Sequence, residues 1–422
     1  MNMLPLNHGP RLPVKATSQD KSPRWQATKR SGNTRTRREY MNTPRELNRK
    51  HLLLLALLAG AGALLLGWNL QNLAGSGLMV LRGKTFGTNY QIKAHAPRDS
   101  DQGPAQQPGL TLGELRNLVD ARLHELTMAL SNWEEESEIS RFNRMPPHEE
   151  FVPGADFLAV LGSAQALSMD TQGAFDPTIG PLVELWGFGT GAKNTGPPGI
   201  GSQDPLAQTA SPSQEQIDQA LRRVGWRHIR LSGGRVSKDI QGLQLDLSAI
   251  AKGYGVDEIG RLLLEQGYTA YLVEIGGEVA VLGNSPGGKP WQVGVEEPNE
   301  SPLQAGPGGN DILTALGVRS GGVATSGSYR QFRIEGDAKP HHIIDPRTGR
   351  PTSPGLVSVT VVARDCMSAD AAATALMVMG VEKGLVWVNG RAGIEALFME
   401  VNAARELRLY RSSGFSELEL KD

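Results

Sequence analysis

A single cysteine, Cys366, stands in 422 residues, so an intrachain disulfide framework, a zinc ribbon and an Fe–S cluster are all excluded. Aromatic residues make up only 5% of the chain, while glycine numbers 51, well above its usual share of roughly 7%. Many turns and close backbone approaches follow from that excess. Net charge is nearly missing too: 43 Lys and Arg against 44 Asp and Glu leave −1, which excludes a generally basic nucleic-acid binder and an acidic disordered chain. The neutrality is an average, because the first 50 residues hold 12 Lys and Arg against 3 Asp and Glu. A basic head therefore precedes a mildly acidic body. Two nucleotide signatures are absent as well: no G-x-G-x-x-G run opens a helix after a strand, and there is no Walker loop.

Charge disappears altogether between Lys50 and Arg82. Inside that gap, residues 52–68 (LLLLALLAGAGALLLGW) form 17 apolar or small positions, the lower length for a membrane-spanning helix. Arg45, Arg49 and Lys50 precede it, so the positive-inside rule makes residues 1–50 a cytoplasmic head and puts the body across the membrane. In a bacterium that is the inner membrane, with the body in the periplasm. A cleaved signal segment has the same layout. The box Leu73-Ala74-Gly75-Ser76, however, carries Ser where a lipoprotein carries its lipidated Cys, which favours an uncleaved anchor over residues 51–72. Residues 11–40 are polar and basic without periodicity and read as disordered, with Met41 as an alternative start.

From about Met79 the composition is globular, giving one domain over 79–422. Residues 79–94 alternate like a strand, and residues 112–130 place Leu115, Leu118, Val119, Leu123 and Leu126 at helical spacing. The segment SNWEEESEISRFN reads as a loop. Further helices are expected over 155–169, 214–224, the stretch following Asp246, and 369–380. Strands are expected over 229–231, 235–238, 271–282, 291–296, 312–318, 322–326, 329–334 and 357–363. Residues 190–212, rich in Gly, Pro, Ser and Gln, read as an exposed insertion. Strands and helices mix without strict alternation, which predicts an α+β fold of mixed or antiparallel sheets with packed helices, behind the membrane-spanning helix.

Several residue groups could carry chemistry. Asp370 and Thr374 in SADAAATAL stand four apart, so their oxygens share a helix face and suit a hard cation such as Mg²⁺. Asp246 and Lys252 in DLSAIAKG set a carboxylate and an ammonium across a strand-to-helix junction, where the cation can meet a phosphate. EIGGE, residues 274–278, is a glycine turn where backbone can approach a ligand. HHIIDPRTG, residues 341–349, packs two imidazoles, a carboxylate and a guanidinium together, and imidazole is the usual proton carrier at neutral pH. Upstream, ATSGSY carries three hydroxyls and the Tyr329 phenol, with no G-x-S-x-G elbow to make a serine nucleophile.

Taken together, nine ordered segments resemble the FAD:protein FMN transferases, the ApbE family: GTNYQI, SNWEEESEISRFN, GAFDPTIGPLVELWGFG, LDLSAIAKGYGVD, VEIGGEV, PWQVGVEEP, VATSGSYRQF, HHIIDPRTGRP and SVTVVARDCMSADAAATALMVMG. They cover about residues 84–380. The resemblance implies an ApbE-like fold and a Mg²⁺-dependent enzyme with FAD as substrate. Such an enzyme places FMN on a threonine of an acceptor flavoprotein through a phosphoester and releases AMP; the acceptor is typically a subunit of a membrane respiratory complex. It also implies that Asp370, Thr374 and the Ala249 carbonyl hold the metal. Phe86, Trp133, Ala174, Phe175, Asp176, Asp246, Lys252 and Ile344 would bind FAD. His342 is implied as general base, and Tyr329 as a group positioning phosphate or acceptor. FAD hydrolysis to FMN and AMP uses the same geometry and is the first alternative. A flavin-binding module without catalysis is the second.

Overall fold

The computed structural model describes residues 78–95, 110–190, 211–298, 311–328, 340–352, 355–402 and 404–421. The expected head, the expected membrane segment, nearly all of the insertion, Tyr329 and the strand expected over 329–334 lie outside these residues. Fourteen strands are present among them: β1 (Met79–Thr85), β2 (Thr88–His95), β3 (Ile229–Ser232), β4 (Arg235–Lys238), β5 (Ala270–Ile275), β6 (Glu278–Leu282), β7 (Trp291–Glu296), β8 (Ile312–Val318), β9 (Ser320–Gly327), β10 (Ile344–Asp345), β11 (Arg350–Pro351), β12 (Leu356–Ala363), β13 (Ile394–Val401) and β14 (Leu407–Arg411). Helices are α1 (Leu112–Leu130), α2 (Glu138–Arg144), α3 (Ala155–Asp170), α4 (Gly180–Leu185), α5 (Gln214–Leu221), α6 (Ser248–Glu265) and α7 (Cys366–Asn389).

One eight-stranded sheet, in the order β1-β2-β5-β6-β9-β12-β13-β14, runs antiparallel at every step. The fold is therefore α+β with antiparallel sheets, as the mixed pattern predicts. Its inner strands, such as β5 and β12, are covered on both faces, which is why runs such as AYLVEI read as continuously apolar. On β13, Ala396 and Phe398 pack toward α7, while Leu397 and Met399 pack toward the β7–β8 hairpin with Trp291, Val293 and Leu316. Period-two alternation thus assigns each residue to a helix-side or a hairpin-side core. Tyr271, Val273 and Ile275 of β5 meet Leu115, Val119, Val256 and Ile259 of α1 and α6 in the same way.

Three expectations are corrected. Residues 79–94 are a hairpin rather than one strand, turning at Phe86 and Gly87 with φ of 48° and 71°. Residues 271–282 are not one strand: they split into β5 and β6 at Gly276 and Gly277, both at positive φ, at the turn that EIGGE itself indicates. The loop SNWEEESEISRFN contains α2, whose N-cap Ser137 accepts from the Ser140 amide at 3.1 Å and whose Ile139 and Phe142 are buried. Past the last expected helix the chain continues: Gly380 (φ 78°, ψ 175°) breaks α7, which resumes to Asn389, and β13 and β14 close the sheet. Among the described residues α7 is the one helix long and apolar enough to cross a membrane, yet its first half is packed into the domain core.

Beside the sheet, α2, α3 and the β3–β4 hairpin form a second core around Phe142, Phe157, Leu161 and Leu245. Lys238 is buried in it. Its ammonium donates to the carbonyls of Phe142, Asn143 and Leu243 at 3.2, 2.8 and 3.0 Å, pinning the end of α2 to the segment that leads into α6. Burial pulls its pKa down to about 8. Between that value and the ordinary 10.5 the unfolded chain holds the extra proton, so stability from this group rises with pH across the window. Lys238→Met is expected to cost about 2–4 kcal/mol, because three carbonyls lose their donor. It should also flatten the rise between pH 8 and 10 in urea midpoint; a variant with the wild-type pH slope would show that Lys238 is not its source.

Candidate active site

Helices α6 and α7 meet at a glycine. A Cβ on Gly253 would lie 2.4 Å from the Cys366 carbonyl oxygen and 2.8 Å from Asp370 Cβ, so only glycine permits this approach. The approach lets the Gly253 amide donate to Asp370 Oδ2 at 3.0 Å. Four residues further along α6, Asp257 accepts from the Cys366 and Met367 amides at 2.9 and 2.8 Å, satisfying donors that the start of α7 leaves orphaned. Asp365 completes that cap through the Ser368 amide at 2.8 Å. Gly253→Ala is expected to destabilise the fold by about 1–3 kcal/mol by forcing the helices apart. Urea unfolding with an unchanged midpoint would contradict this.

Asp370 is 3% exposed. Burial pushes its pKa up to about 7; the Lys252 ammonium opposes the shift, while Glu278 and Asp257 add to it. The carboxylate is thus short of positive charge. One turn along, Thr374 Oγ1 lies 3.0 Å from Ser326 Oγ near the end of β9. In an α-helix the Gly253 N–H faces the Ala249 carbonyl. The same N–H reaches Asp370, which sets Ala249 one helical turn before the residue that holds the carboxylate. A carboxylate, a hydroxyl and a carbonyl are oxygen donors suited to Mg²⁺. No three His, Cys, Asp or Glu side chains converge as a metal cluster among the described residues. The donors present therefore fit a hard cation that keeps part of its water shell.

Lys252, on α6, pairs with Glu278 Oε1 at the start of β6. Ahead of α6, Asp246 Oδ1 accepts from the Ser248 amide at 2.9 Å and from its hydroxyl at 2.5 Å, while the Asp246 amide donates to the Pro177 carbonyl at 2.8 Å. That last bond joins the α6 start to the GAFD turn. In the turn, Ala174 packs with Ile343, Ala369 and Ala373, and Phe175 enters the second core. Asp176 is spent internally: Oδ1 accepts from the Thr178 amide and hydroxyl at 2.8 and 2.6 Å, Oδ2 from the Trp226 amide at 3.0 Å. Burial raises its pKa against those bonds. The turn thus offers a ligand backbone rather than these side chains.

The two histidines differ. His341 is buried, with Nδ1 accepting from the Ile343 amide at 3.3 Å and its pKa lowered by burial. His342 is half-buried, with the Phe188 ring edge-on at 6.3 Å between centroids. Ile344 is buried among Leu182, Trp186 and Ile217. Phe86 lies against α6 at Gly255, where a Cβ would stand 2.7 Å from its ring. Its φ of 48° is unusual for an aromatic residue and is the kind of strain that functional turns store. Trp133 is exposed; its neighbour Asn132 donates to the Leu245 carbonyl at 3.2 Å, next to Asp246.

The structure therefore gathers Ala249, Lys252, Asp370 and Thr374 at the α6–α7 contact and brings the GAFD turn beside Ile343. Glu278, Asp257 and Ser326 join them without having been singled out. Glu278 ends the EIGGE turn and Ser326 belongs to the hydroxyl run ATSGSY, so for these two a signal existed.

A family model described as the ApbE family matches residues 86–398. The FAD:protein FMN transferase of Vibrio cholerae serotype O1 is 36% identical over 336 residues, spanning 79% of this chain and 91% of that protein. The enzyme of the same description from Escherichia coli K12 is 31% identical over 343 residues, 80% of this chain and 88% of its own length. A solved flavin transferase ApbE from Vibrio cholerae superposes with a TM-score of 0.66 at 35% identity, covering 81% of this chain and 99% of that one. The ApbE protein of Thermotoga maritima gives 0.66 at 29% identity over 82% and 100%.

Proposed function

The chain belongs to the ApbE family, and from that premise we propose that it transfers FMN from FAD to a threonine of a partner flavoprotein, with Mg²⁺ as cofactor. One observation carries the chemistry: the Asp370 carboxylate meets α6 at the Gly253 amide, one turn of α7 before Thr374 and beside Lys252, and Ala249 stands one turn earlier on α6. A pyrophosphate is a cluster of hard anionic oxygens, and a hard cation beside an ammonium complements it. Bound at those oxygens, Mg²⁺ would neutralise pyrophosphate charge and polarise the phosphorus under attack.

The protein's own residues do the rest. Lys252 binds a phosphate; Phe86 and Trp133 present rings to the isoalloxazine; the backbone of Ala174, Phe175 and Asp176, with Asp246 and Ile344, fixes the flavin's orientation. His342 takes the proton from the acceptor hydroxyl as its oxygen bonds to the FMN phosphorus. The pyrophosphate bond breaks and AMP leaves. Tyr329 helps position phosphate or acceptor. The chain works at the bacterial inner membrane with this domain in the periplasm, a reading that rests on the basic head and residues 52–68, and its acceptor is a subunit of a membrane respiratory complex.

Incubation with FAD, Mg²⁺ and an excess of a threonine-bearing acceptor domain tests the reading by in-gel flavin fluorescence and free-FMN analysis. Fluorescent acceptor and AMP in equal amounts are expected. Free FMN as the main product would make the protein an FAD pyrophosphatase, and intact FAD bound without turnover would make it a flavin-binding module. Recovery of the mature chain from the soluble cytoplasmic fraction would overturn the topology.

A further inference from the structure

Glu278 opens β6 directly after the Gly276-Gly277 turn, and β6 packs against both α6 and α7. It is 2% exposed. Oε1 meets the Lys252 ammonium, whereas Oε2 is buried with no hydrogen-bond partner among the described residues. An unanswered buried acceptor costs about 1–3 kcal/mol, more when it is charged. Charge is unbalanced around it as well. Asp257 is answered by two amides at the start of α7, whereas Glu278 Oε1 has the Lys252 ammonium and Asp370 Oδ2 has the amide of the next residue, Gly253, so the two carboxylates are held by adjacent residues of α6. Among the described residues, these two buried carboxylates have one ammonium beside them.

We propose that Glu278 helps hold the divalent cation through a metal-bound water, its Oε2 accepting from that water while Oε1 keeps Lys252 in place; this rests on the Mg²⁺ reading above. Mg²⁺ dehydrates reluctantly and keeps several waters. Carboxylates outside the direct ligands are ordinary acceptors for such groups. Among the described residues no three carboxylate, imidazole or thiol groups converge on one point, so a water-bridged role for Glu278 suits the site better than a direct one.

Mn²⁺ serves as the probe, titrated into the full chain with and without saturating AMP and followed by electron paramagnetic resonance of the free ion. Glu278→Gln is expected to weaken Mn²⁺ binding about 10–100-fold. Lys252→Met, which removes a neighbouring positive charge, should leave it unchanged or tighten it. The double variant Lys252→Met/Glu278→Gln restores the local charge and should still bind at least about 10-fold more weakly than wild type, because the acceptor for the water is gone. Wild-type affinity in the double variant would reduce Glu278 to a distant charge and overturn the proposal while leaving the metal site standing. Absence of Mn²⁺ binding by the wild type under both conditions would sink the metal reading itself. If Glu278→Gln does not fold, Glu278→Asp keeps the charge but withdraws the oxygen by one methylene, and undiminished affinity there overturns the proposal equally.

Discussion

Asp370→Asn is expected to abolish metal-dependent FAD cleavage and, at the same time, to make the metal-free protein more heat-stable. Both effects have one cause. Asp370 is buried, carries a single amide donor, and has its proton affinity raised to about pH 7 by burial and by Glu278. The metal-free fold therefore bears the cost of an ionised group that water no longer solvates. Asparagine keeps an oxygen for the Gly253 amide and removes the charge, so the packing between α6 and α7 survives. Lost with the charge is the strongest donor to a cation, and a Lewis-acid contribution of several kcal/mol corresponds to a rate loss on the order of 10³-fold. Thermal unfolding with and without Mg²⁺ separates the two parts: Mg²⁺ should raise the wild-type midpoint and leave the variant's unmoved, with the variant starting higher. AMP release at the wild-type rate by the folded variant at saturating Mg²⁺ would remove Asp370 from the chemistry. A lower metal-free midpoint would mean that Asp370 contributes to the fold through contacts that asparagine cannot make.

Such a trade, stability given up at a site for charge held ready, is also what limited how far the sequence could be read. Where a residue's role is set by its local period, it was legible. Leu115, Val119, Leu123 and Leu126 announce α1, and Asp370 with Thr374 announces one helix face, because both patterns repeat along a single element. Residues whose role is set across the chain were not legible. Glu278 meets Lys252 from 26 positions away, and Asp257 caps α7 from 109 and 110 positions away; neither relation leaves a local trace. Lys238 read as the polar end of a short strand, although its ammonium organises carbonyls 95 and 96 positions earlier. Short elements were hidden for another reason. The seven residues of α2 bury only Ile139 and Phe142, too few for a period to show. The β1–β2 turn is disguised because Phe86 occupies a conformation usually filled by Asn, Asp or Gly. Asp176 illustrates the opposite error: a carboxylate in a recognisable motif invites a ligand role, yet both of its oxygens already serve Thr178 and Trp226.

His342→Ala is expected to slow FMN transfer by about 10²–10⁴-fold, the usual contribution of a general base, while FAD affinity changes little. A threonine hydroxyl is a poor nucleophile unaided, whereas in the function proposed above FAD would be held by the metal, Lys252 and the rings of Phe86 and Trp133, none of which this substitution changes. The adjacent His341 supplies the control. It is 3% exposed, its Nδ1 is occupied by the Ile343 amide, and burial holds its pKa below the ordinary histidine value, so it is a packed neutral imidazole. His342, half-buried with the Phe188 ring edge-on at 6.3 Å, is the more exposed of the two imidazoles, as a proton carrier needs to be. His341→Ala should therefore lower thermal stability, by emptying a buried site, with a much smaller effect on transfer in the molecules that remain folded. His342→Ala should do the reverse. The measurement is a single-turnover transfer assay with FAD, Mg²⁺ and an acceptor domain, run beside unfolding curves and an FAD titration by flavin fluorescence. Equal losses of transfer in the two variants would leave the base unassigned within the pair. A His342→Ala enzyme that still releases free FMN at the wild-type rate, but labels no acceptor, would place His342 on the acceptor side of the reaction and show that pyrophosphate cleavage can proceed to water without it.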